Sequence, residues 1–180
     1  MNIRIIAGTY GGRTMAAPAG RTTHPMGERI RNAVFNSLGG EISGASVLDV
    51  FAGSGVVGLE ALSRGAKQAI FVERDRNAQR CILDNIKSLQ VAGSTKLIKT
   101  TVSNWLESSE PEDFDIIFAD PPYHDPQLST VARLFGLLKP GGLMVLSHSG
   151  RGELPTKTGV VVVDNRSYGN AVITLYRRES

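Results

Sequence analysis

Short apolar runs alternate with longer amphipathic segments along the chain from residue 46 onward. The apolar runs are rich in β-branched residues and predict strands at 47–51, 69–73, 96–100, 114–119 and 143–147. The segments between them carry apolar residues at helical spacing and predict helices near 56–64, 75–90, 103–109 and 127–138. This alternation favours an α/β fold, in which helices cover both faces of a parallel sheet and the crossovers are right-handed.

Two further apolar runs, at 160–163 and 171–176, follow this alternating region. The polar link of residues 164–170 between them is too short for a helical crossover, so these two strands are predicted to be antiparallel. The sheet is therefore expected to contain seven strands and to be mixed.

The first 40 residues have a different pattern. Apolar positions at 3–6 and 13–17 flank a glycine-rich segment that permits a tight turn, which predicts a short hairpin. A helix is predicted over 27–38, because an apolar residue recurs every four positions at Ile30, Val34 and Leu38. We therefore predict a hairpin and helix extension at 1–40 ahead of a main domain at 41–180.

Composition excludes several classes of protein. A length of 180 residues with 41% hydrophobic content suits one core, and the single cysteine, Cys81, cannot form an internal disulfide. No apolar run approaches the ~18 residues of a membrane span, and no signal peptide is evident, so we expect a cytoplasmic protein without a membrane partner. No metal site is expected, because no acidic or cysteine cluster joins the scattered histidines, which are His24, His124 and His148.

Positive charge is concentrated near the start of the chain. The first 40 residues carry five arginines and one acid, a net charge of +4, whereas the remaining 140 residues carry 15 basic and 16 acidic side chains. Because arginine binds phosphate bidentately, this segment is a candidate for contact with a polyanion. Solvated surface arginines are the alternative.

A glycine-rich loop follows the first strand of the main domain, in the sequence Asp49-Val-Phe-Ala-Gly53-Ser-Gly55-Val-Val-Gly58. Glu73 ends the next strand, at the distance expected of an acid that binds ribose hydroxyls. The spacing also fits a dinucleotide site, but the Asp49 carboxylate would repel a pyrophosphate. S-adenosylmethionine carries a sulfonium and an ammonium group, so an acidic loop favours this cofactor.

The sequence Asp120-Pro121-Pro122-Tyr123 lies directly after the predicted strand 114–119. Two prolines fix the backbone, so a carboxylate and an aromatic ring are held rigidly at the strand end. Ligands of α/β sheets bind at the carboxyl ends of the strands, which makes this corner a candidate catalytic site.

Together, the glycine loop and the corner resemble the class I S-adenosylmethionine-dependent amino-methyltransferases, whose fourth strand ends in Asp or Asn, Pro, Pro and an aromatic residue. The segments 4–8, 12–13, 29–36 and 59–66, together with Pro18, are similar to those of the RsmD family. Its members are bacterial methyltransferases of the guanine N2 amine in 16S ribosomal RNA. The resemblance covers essentially the whole chain.

The resemblance implies a seven-stranded, mixed Rossmann-like sheet with an antiparallel last strand. It implies S-adenosylmethionine as cofactor, bound by Asp49, Phe51, Gly53, Ser54, Gly55, Glu73, Arg74, Thr101, Val102 and Asp120. The catalytic residues would be Asp120, Pro121, Pro122 and Tyr123. The N-terminal extension would help to hold RNA, and the candidates for phosphate contacts are Arg4, Arg13, Arg29 and Arg31.

Three positions depart from the family pattern. His24 and Met26 occupy a segment in which the family commonly has Thr-Arg-Pro-Thr ahead of an acid, and a neutral histidine weakens a phosphate contact. Thr101 stands where an acid or amide often meets the adenine amino group. Adenine recognition is therefore expected to depend more on the backbone of Val102.

The expected mechanism is orientation of an amine. We expect the Asp120 carboxylate and the Pro121 carbonyl to accept hydrogen bonds from the exocyclic amine and to direct its lone pair at the methyl group. Tyr123 would stack on the extruded base.

Other functions remain possible from the sequence. A DNA or RNA adenine-N6 methyltransferase shares the chemistry of this corner. A protein methyltransferase that acts on a glutamine amide would have Asn at the position of Asp120. A non-catalytic RNA-binding module could keep the same fold. The expected partner is ribosomal RNA, within the small subunit or its assembly intermediate, and the chain is expected to be a monomer.

Overall fold

The computed structural model describes residues 2–19, 26–108 and 112–180. No helix in these ranges combines the length and apolar character needed to cross a lipid bilayer. The helices and strands are, in chain order, β1 (Asn2–Arg4), β2 (Thr14–Ala16), α1 (Glu28–Leu38), β3 (Ser46–Val50), α2 (Val56–Ser63), β4 (Gln68–Val72), α3 (Arg76–Leu89), β5 (Thr95–Ile98), α4 (Val102–Ser108), β6 (Phe114–Ala119), α5 (Leu128–Leu134), β7 (Leu138–His148), β8 (Val160–Tyr168) and β9 (Ala171–Arg178).

Strands β3 to β9 form one sheet in the order β5-β4-β3-β6-β7-β9-β8. The pairs from β5 to β7 are parallel, whereas β9 is antiparallel to both β7 and β8. The link between β8 and β9 is a two-residue turn in which Gly169 has φ 63°, a conformation that favours glycine. The predicted seven-stranded mixed sheet with an antiparallel last strand is confirmed.

The boundaries around β7 differ from the prediction. The predicted helix 127–138 ends at Leu134 and is followed by a short 3₁₀ turn, and β7 begins at Leu138 rather than at residue 143. Pro140 and Gly141 suggest a turn from sequence, yet they lie inside the strand. An irregularity in the pairing of β6 with β7 accommodates these residues, because the register shifts between Phe114 and Ile116.

The sheet has a buried apolar layer on each face. Helices α1, α2 and α3 and the N-terminal hairpin cover one face, where Val47, Phe71 and Phe118 point. Helices α4 and α5 cover the other, where Leu48 and Trp105 lie in the second apolar cluster. The alternation of side chains along each strand therefore sends successive residues into different layers. Because Asp49 lies between Leu48 and Val50, its side chain faces the layer that contains α2.

The predicted N-terminal hairpin forms, with β1 antiparallel to β2. It is anchored to α2 through Glu60, which has no exposed surface and accepts hydrogen bonds from the backbone N–H groups of Ile6 (2.8 Å) and Ala7 (3.1 Å). At Gly8, a Cβ atom would lie 1.9 Å from the Ser63 carbonyl oxygen, so only glycine permits this approach. The hairpin thus shares one core with the sheet, and the division at residue 40 stays a prediction.

Candidate active site

Three carboxylates converge at the carboxyl edge of the sheet. Asp49 lies in β3, Glu73 follows β4 and Asp120 follows β6, and β3 is the central strand of these three. Burial raises the pKa of Asp49 well above its usual range; the hydrogen bond from the Gly58 N–H opposes this rise, and the charges of Asp120 and Glu73 add to it. This edge therefore concentrates negative charge that a bound cation would stabilise.

The glycine loop between β3 and α2 is held in a conformation with several positive φ angles. Gly53 and Gly55 have φ angles of 59° and 78°, and the non-glycine residue Phe51 has φ 58°. Gly58 permits close packing of α2, because a Cβ atom there would lie 2.4 Å from Cε1 of Phe71. The Gly58 N–H donates to Asp49 Oδ2 at 3.0 Å, so Asp49 also fixes the start of α2.

Glu73, the predicted ribose-binding acid, accepts hydrogen bonds from two separate backbone segments. Its Oε1 accepts a hydrogen bond from the Gly53 N–H at 2.8 Å, and its Oε2 accepts one from the Asp75 N–H at 2.7 Å. The buried carboxylate is thus aimed at the glycine loop rather than at solvent. Arg74, the next residue, is exposed.

A buried asparagine joins the glycine loop to the N-terminal hairpin, a link that the sequence analysis missed. Asn85 Nδ2 donates to the carbonyl oxygens of Ser54 and Ala16, each at 3.0 Å, and its Oδ1 accepts from the Ala16 N–H at 2.8 Å. Ser54 itself is buried, and its hydroxyl accepts from the Val56 N–H at 3.3 Å. The sequence signal for this link was Asn85 itself, a polar residue on the apolar side of the helix predicted over 75–90, because a buried polar group needs hydrogen-bond partners.

Thr101 caps a helix. Its Oγ1 accepts a hydrogen bond from the Asn104 N–H at 3.0 Å, as an N-cap residue does at the start of α4. Val102 is buried against the second apolar layer. The suggested contact of Thr101 and Val102 with adenine stays a prediction. The groups available for it are those of the backbone after β5.

The predicted catalytic corner lies directly after β6. Asp120 is half-buried, and burial raises its pKa to about 6, while hydrogen bonding from Ser147 opposes the rise. Pro121 is buried, and the Pro122 carbonyl oxygen accepts from the Asp125 N–H at 3.0 Å, which closes a turn after the corner. The carboxylate is therefore partly desolvated on a rigid backbone.

The Tyr123 side chain is 43% exposed, yet its hydroxyl group is held. Tyr123 Oη lies 3.0 Å from Ser147 Oγ, and Ser147, at the end of β7, is 4% exposed. Burial raises the pKa of Tyr123, and the Asp120 charge raises it further against the opposing hydrogen bond to Ser147. One buried hydroxyl thus lies between the ring and the carboxylate. Sequence reasoning missed Ser147, because nothing in the apolar run 143–147 marks it.

A shallow, open cleft adjoins the corner. Prolines and Tyr123 line one side, and the segment after β7 lines the other, including Arg151 and Glu153. His148 also lines it, but its Nε2 lies 2.8 Å from Thr174 Oγ1 and its Nδ1 accepts from the Gly150 N–H at 3.1 Å. Burial lowers the pKa of His148, so this residue is a neutral structural group.

The four predicted RNA-contacting arginines occupy different environments. Arg4, Arg13 and Arg29 are exposed, and Arg4 forms an ion pair with Glu28. Arg31 is 1% exposed: its Nε lies 3.5 Å from Glu60 Oε1, its Nη1 donates to the Met26 carbonyl at 3.1 Å, and its Nη2 donates to the Arg4 carbonyl. The predicted phosphate contact of Arg31 is wrong, because the guanidinium neutralises the buried Glu60 instead.

Two predictions on the N-terminal segment have different outcomes. Met26 packs in the first apolar layer, so this departure from the family pattern is a core residue. His24 lies outside the described residues.

Within residues 2–19, 26–108 and 112–180, no three His, Cys, Asp or Glu side chains are placed to hold a metal ion.

The sequence and the fold both match known methyltransferases. A family model described as Conserved hypothetical protein 95 matches residues 3–177. The Escherichia coli protein named ribosomal RNA small subunit methyltransferase D is 32% identical over 182 residues, which cover 99% of this chain and 91% of that protein. The solved structure of yhhF from Escherichia coli is 31% identical, with a TM-score of 0.88 and coverage of 100% and 99% of the two chains.

A more distant structure, SMU.776, was solved in complex with S-adenosylhomocysteine. It is 15% identical to this chain, with a TM-score of 0.68 over 83% of this chain and 48% of its own length. The fold is therefore that of the S-adenosylmethionine-dependent methyltransferases. The family model and the Escherichia coli methyltransferase each match nearly the whole length of this chain. The chain therefore belongs to the RsmD family of ribosomal RNA methyltransferases.

Proposed function

We propose that this protein transfers a methyl group from S-adenosylmethionine to the exocyclic N2 amine of a guanine in small-subunit ribosomal RNA. The observation that supports it best is the position of Asp120: it ends the strand beside Asp49, so the amine-orienting corner adjoins the acidic loop. The family membership supports ribosomal RNA as the substrate class. A ribosomal substrate corresponds to a cytoplasmic site of action.

The chemistry of the acidic edge fits this cofactor. Asp49 and Asp120 both have a raised pKa because burial disfavours their charge, and a nearby sulfonium or ammonium would stabilise both carboxylates. A pyrophosphate at the same place would face like charge. We infer that the loop at 51–55 and Glu73 hold the nucleoside part, with backbone groups near Val102 beside the adenine.

The cofactor, when bound, supplies an electrophilic methyl group. An aromatic exocyclic amine is a weak nucleophile because its lone pair is delocalised into the ring. We infer that the Asp120 carboxylate and the Pro121 carbonyl accept hydrogen bonds from the two N–H bonds of the amine. These hydrogen bonds direct the lone pair of its nitrogen toward the methyl carbon. In the transfer the nitrogen would gain one N–C bond as the bond between the methyl carbon and the cofactor sulfur breaks, leaving a neutral thioether, and the nitrogen would lose one proton, which Asp120 or water accepts.

Tyr123 provides a surface for an extruded base. Its ring is exposed at the mouth of the cleft, and the hydrogen bond to Ser147 restricts its rotation. Stacking of a base on an aromatic ring contributes about 1 to 3 kcal/mol. Extrusion costs a few kcal/mol, so this contact offsets much of that cost.

The test is identification of the product. The protein is incubated with labelled S-adenosylmethionine and either undermethylated small ribosomal subunits or protein-free 16S ribosomal RNA, and the RNA is digested to nucleosides. Labelled N2-methylguanosine is expected, and comparison of the two substrates shows whether the assembled particle is required. Labelled N6-methyladenosine would overturn the choice of base.

Two matched variants report on the corner. Asp120→Ala should abolish transfer but retain S-adenosylhomocysteine binding, whereas Asp125→Ala removes an exposed acid five residues away and should keep full activity. No cofactor binding by the wild-type protein would leave the non-catalytic RNA-binding module as the better explanation.

A further inference from the structure

The outer face of α3 carries a stripe of exposed cations. Arg76, Arg80, Leu83 and Lys87 are four, three and four residues apart, so they lie along one side of the helix, and all four are exposed. At about 1.5 Å per residue, the stripe is about 16 Å long. One strand of a DNA duplex carries a phosphate per about 3.4 Å of helix axis, and on that scale this length meets several phosphates of a nucleic acid.

Arg13 extends the stripe from the N-terminal hairpin. Its Nη2 donates to the Ser88 carbonyl oxygen at 3.0 Å, at the C-terminal end of α3. Of the arginines that the sequence nominated for RNA, Arg31 is buried and Arg4 pairs with Glu28, whereas Arg13 is brought into line with the helix. The hairpin thus contributes its cation to a surface that sequence position alone does not reveal.

The cations of this surface are available to an external anion. Within the described residues, none of Arg13, Arg76, Arg80 and Lys87 forms an ion pair with a carboxylate. Two exposed acids neighbour the stripe, Asp75 and Asp84, but neither lies within ion-pair distance of its cations in the described residues, and Asp75 Oδ2 accepts from the Ala78 N–H at 2.8 Å as the helix N-cap.

The stripe also leads to the reaction site. Helix α3 begins three residues after Glu73, whose Oε2 accepts a hydrogen bond from the N–H of the N-cap residue Asp75 at 2.7 Å. The N-terminal end of the stripe is therefore at the carboxyl edge of the sheet, where Asp120 also lies. A polyanion lying along α3 reaches the edge where its base must react.

We propose that the outer face of α3, with Arg13 at its far end, binds the phosphate backbone of the RNA substrate. This proposal rests on the proposed function, because that function requires a polyanionic substrate at this edge. Leu83, 43% exposed between the cations, offers an apolar contact to a ribose or base. The alternation of cations with one apolar side chain suits a nucleic-acid backbone.

The test compares two double variants with equal loss of charge. Arg76→Gln with Arg80→Gln removes two cations from the stripe. Lys67→Gln with Lys157→Gln removes two exposed cations away from it: Lys67 immediately precedes β4 at the amino edge, and Lys157 lies near Gly136 ahead of β7. Binding of each protein to 16S ribosomal RNA is measured by fluorescence anisotropy at several salt concentrations. Thermal unfolding and S-adenosylhomocysteine binding are measured alongside.

The stripe variant should bind RNA on the order of ten-fold more weakly, with a salt slope smaller by about 0.7 per lost contact, about 1.4 in all. The control variant should bind as the wild type does, and both should retain thermal stability and S-adenosylhomocysteine binding. An unchanged slope in the stripe variant, or an equal loss in both variants, overturns the proposal. The proposed function fails separately, when the wild-type protein binds this RNA but methylates no guanine.

Discussion

Ser147 Oγ lies 3.0 Å from Tyr123 Oη, and the same hydroxyl lowers the pKa of the Asp120 carboxyl. The hydroxyl comes from β7, whereas the other two groups come from the corner after β6. A hydroxyl can accept from a phenol and donate to a carboxylate at the same time, so the single Ser147 side chain can serve both groups. The ring that receives the base and the carboxylate that orients its amine are thereby positioned by one side chain.

Ser147→Ala should impair both functions of the corner. Without the Ser147 hydroxyl, the pKa of Asp120 rises above about 6, because the hydrogen bond that stabilises its charged form is lost. The acid limb of the kcat profile should therefore move to higher pH, and KM for RNA should increase as the Tyr123 ring becomes freer. Steady-state kinetics from pH 5 to 9 measure both.

Two controls separate these effects. Tyr123→Phe retains the ring and the Ser147 hydroxyl that acts on Asp120, so it should increase KM but leave the acid limb in place. Ser129→Ala removes an exposed hydroxyl and should change neither. An unshifted acid limb in Ser147→Ala would show that Ser147 does not act on Asp120.

The ionised Asp120 carboxylate should lower the free energy of unfolding near neutral pH. Its folded pKa, about 6, is above its usual value of 3.8, so the folded state holds a proton more tightly than the unfolded chain. The associated stability is present below about pH 4 and is lost as the pH rises through 6. Asp120→Asn should therefore raise the free energy of unfolding by about 1 to 3 kcal/mol at pH 7.5 and by little at pH 4. Urea unfolding at both pH values, without cofactor, measures this; a gain of equal size at both would contradict it.

Gly58→Ala should displace the start of α2. The new Cβ would lie 2.4 Å from Cε1 and 2.9 Å from Cζ of Phe71, which is fully buried, so overpacking should destabilise the protein by about 1 to 3 kcal/mol. S-adenosylhomocysteine affinity should fall with it, because Gly58 N–H fixes the Asp49 carboxylate. Calorimetric unfolding and titration measure the two losses. Gly93→Ala is the matched control, since nothing lies within 4 Å of its Cβ position.

Glu60→Gln should loosen the N-terminal hairpin. The variant leaves the buried Arg31 without its counter-charge, and breaking a buried ion pair costs about 3 to 5 kcal/mol. Hydrogen exchange should accelerate at the amides of Ile6 and Ala7, which donate to Glu60. Glu28→Gln, at the exposed pair with Arg4, should change the free energy of unfolding far less, because water screens that pair. Equal effects of the two substitutions would mean that Glu60 does not anchor the hairpin.

The strand and helix pattern was predictable because each buried strand is a short apolar run and each helix has a periodic apolar side. The exceptions occur where tertiary contacts override local signals. Pro140 and Gly141 suggest a turn, but the pairs on either side of them, Phe114 with Leu138 and Ile116 with Leu143, carry β7 through them as an irregularity. Arg31 resembles a surface cation in sequence, but the buried Glu60, 29 residues away, holds it in the core.

By itself, the sequence determined the α/β class, the glycine loop with its acids, and the rigid Asp120 corner, because these depend on residue type and short spacing. Only the tertiary structure decided which groups act together. Ser147 is 24 residues from Tyr123 and Arg13 is 75 residues from Ser88, and strand order and helix packing alone bring them into contact. Contacts over such separations follow from the free energy of the whole core, which no local pattern encodes.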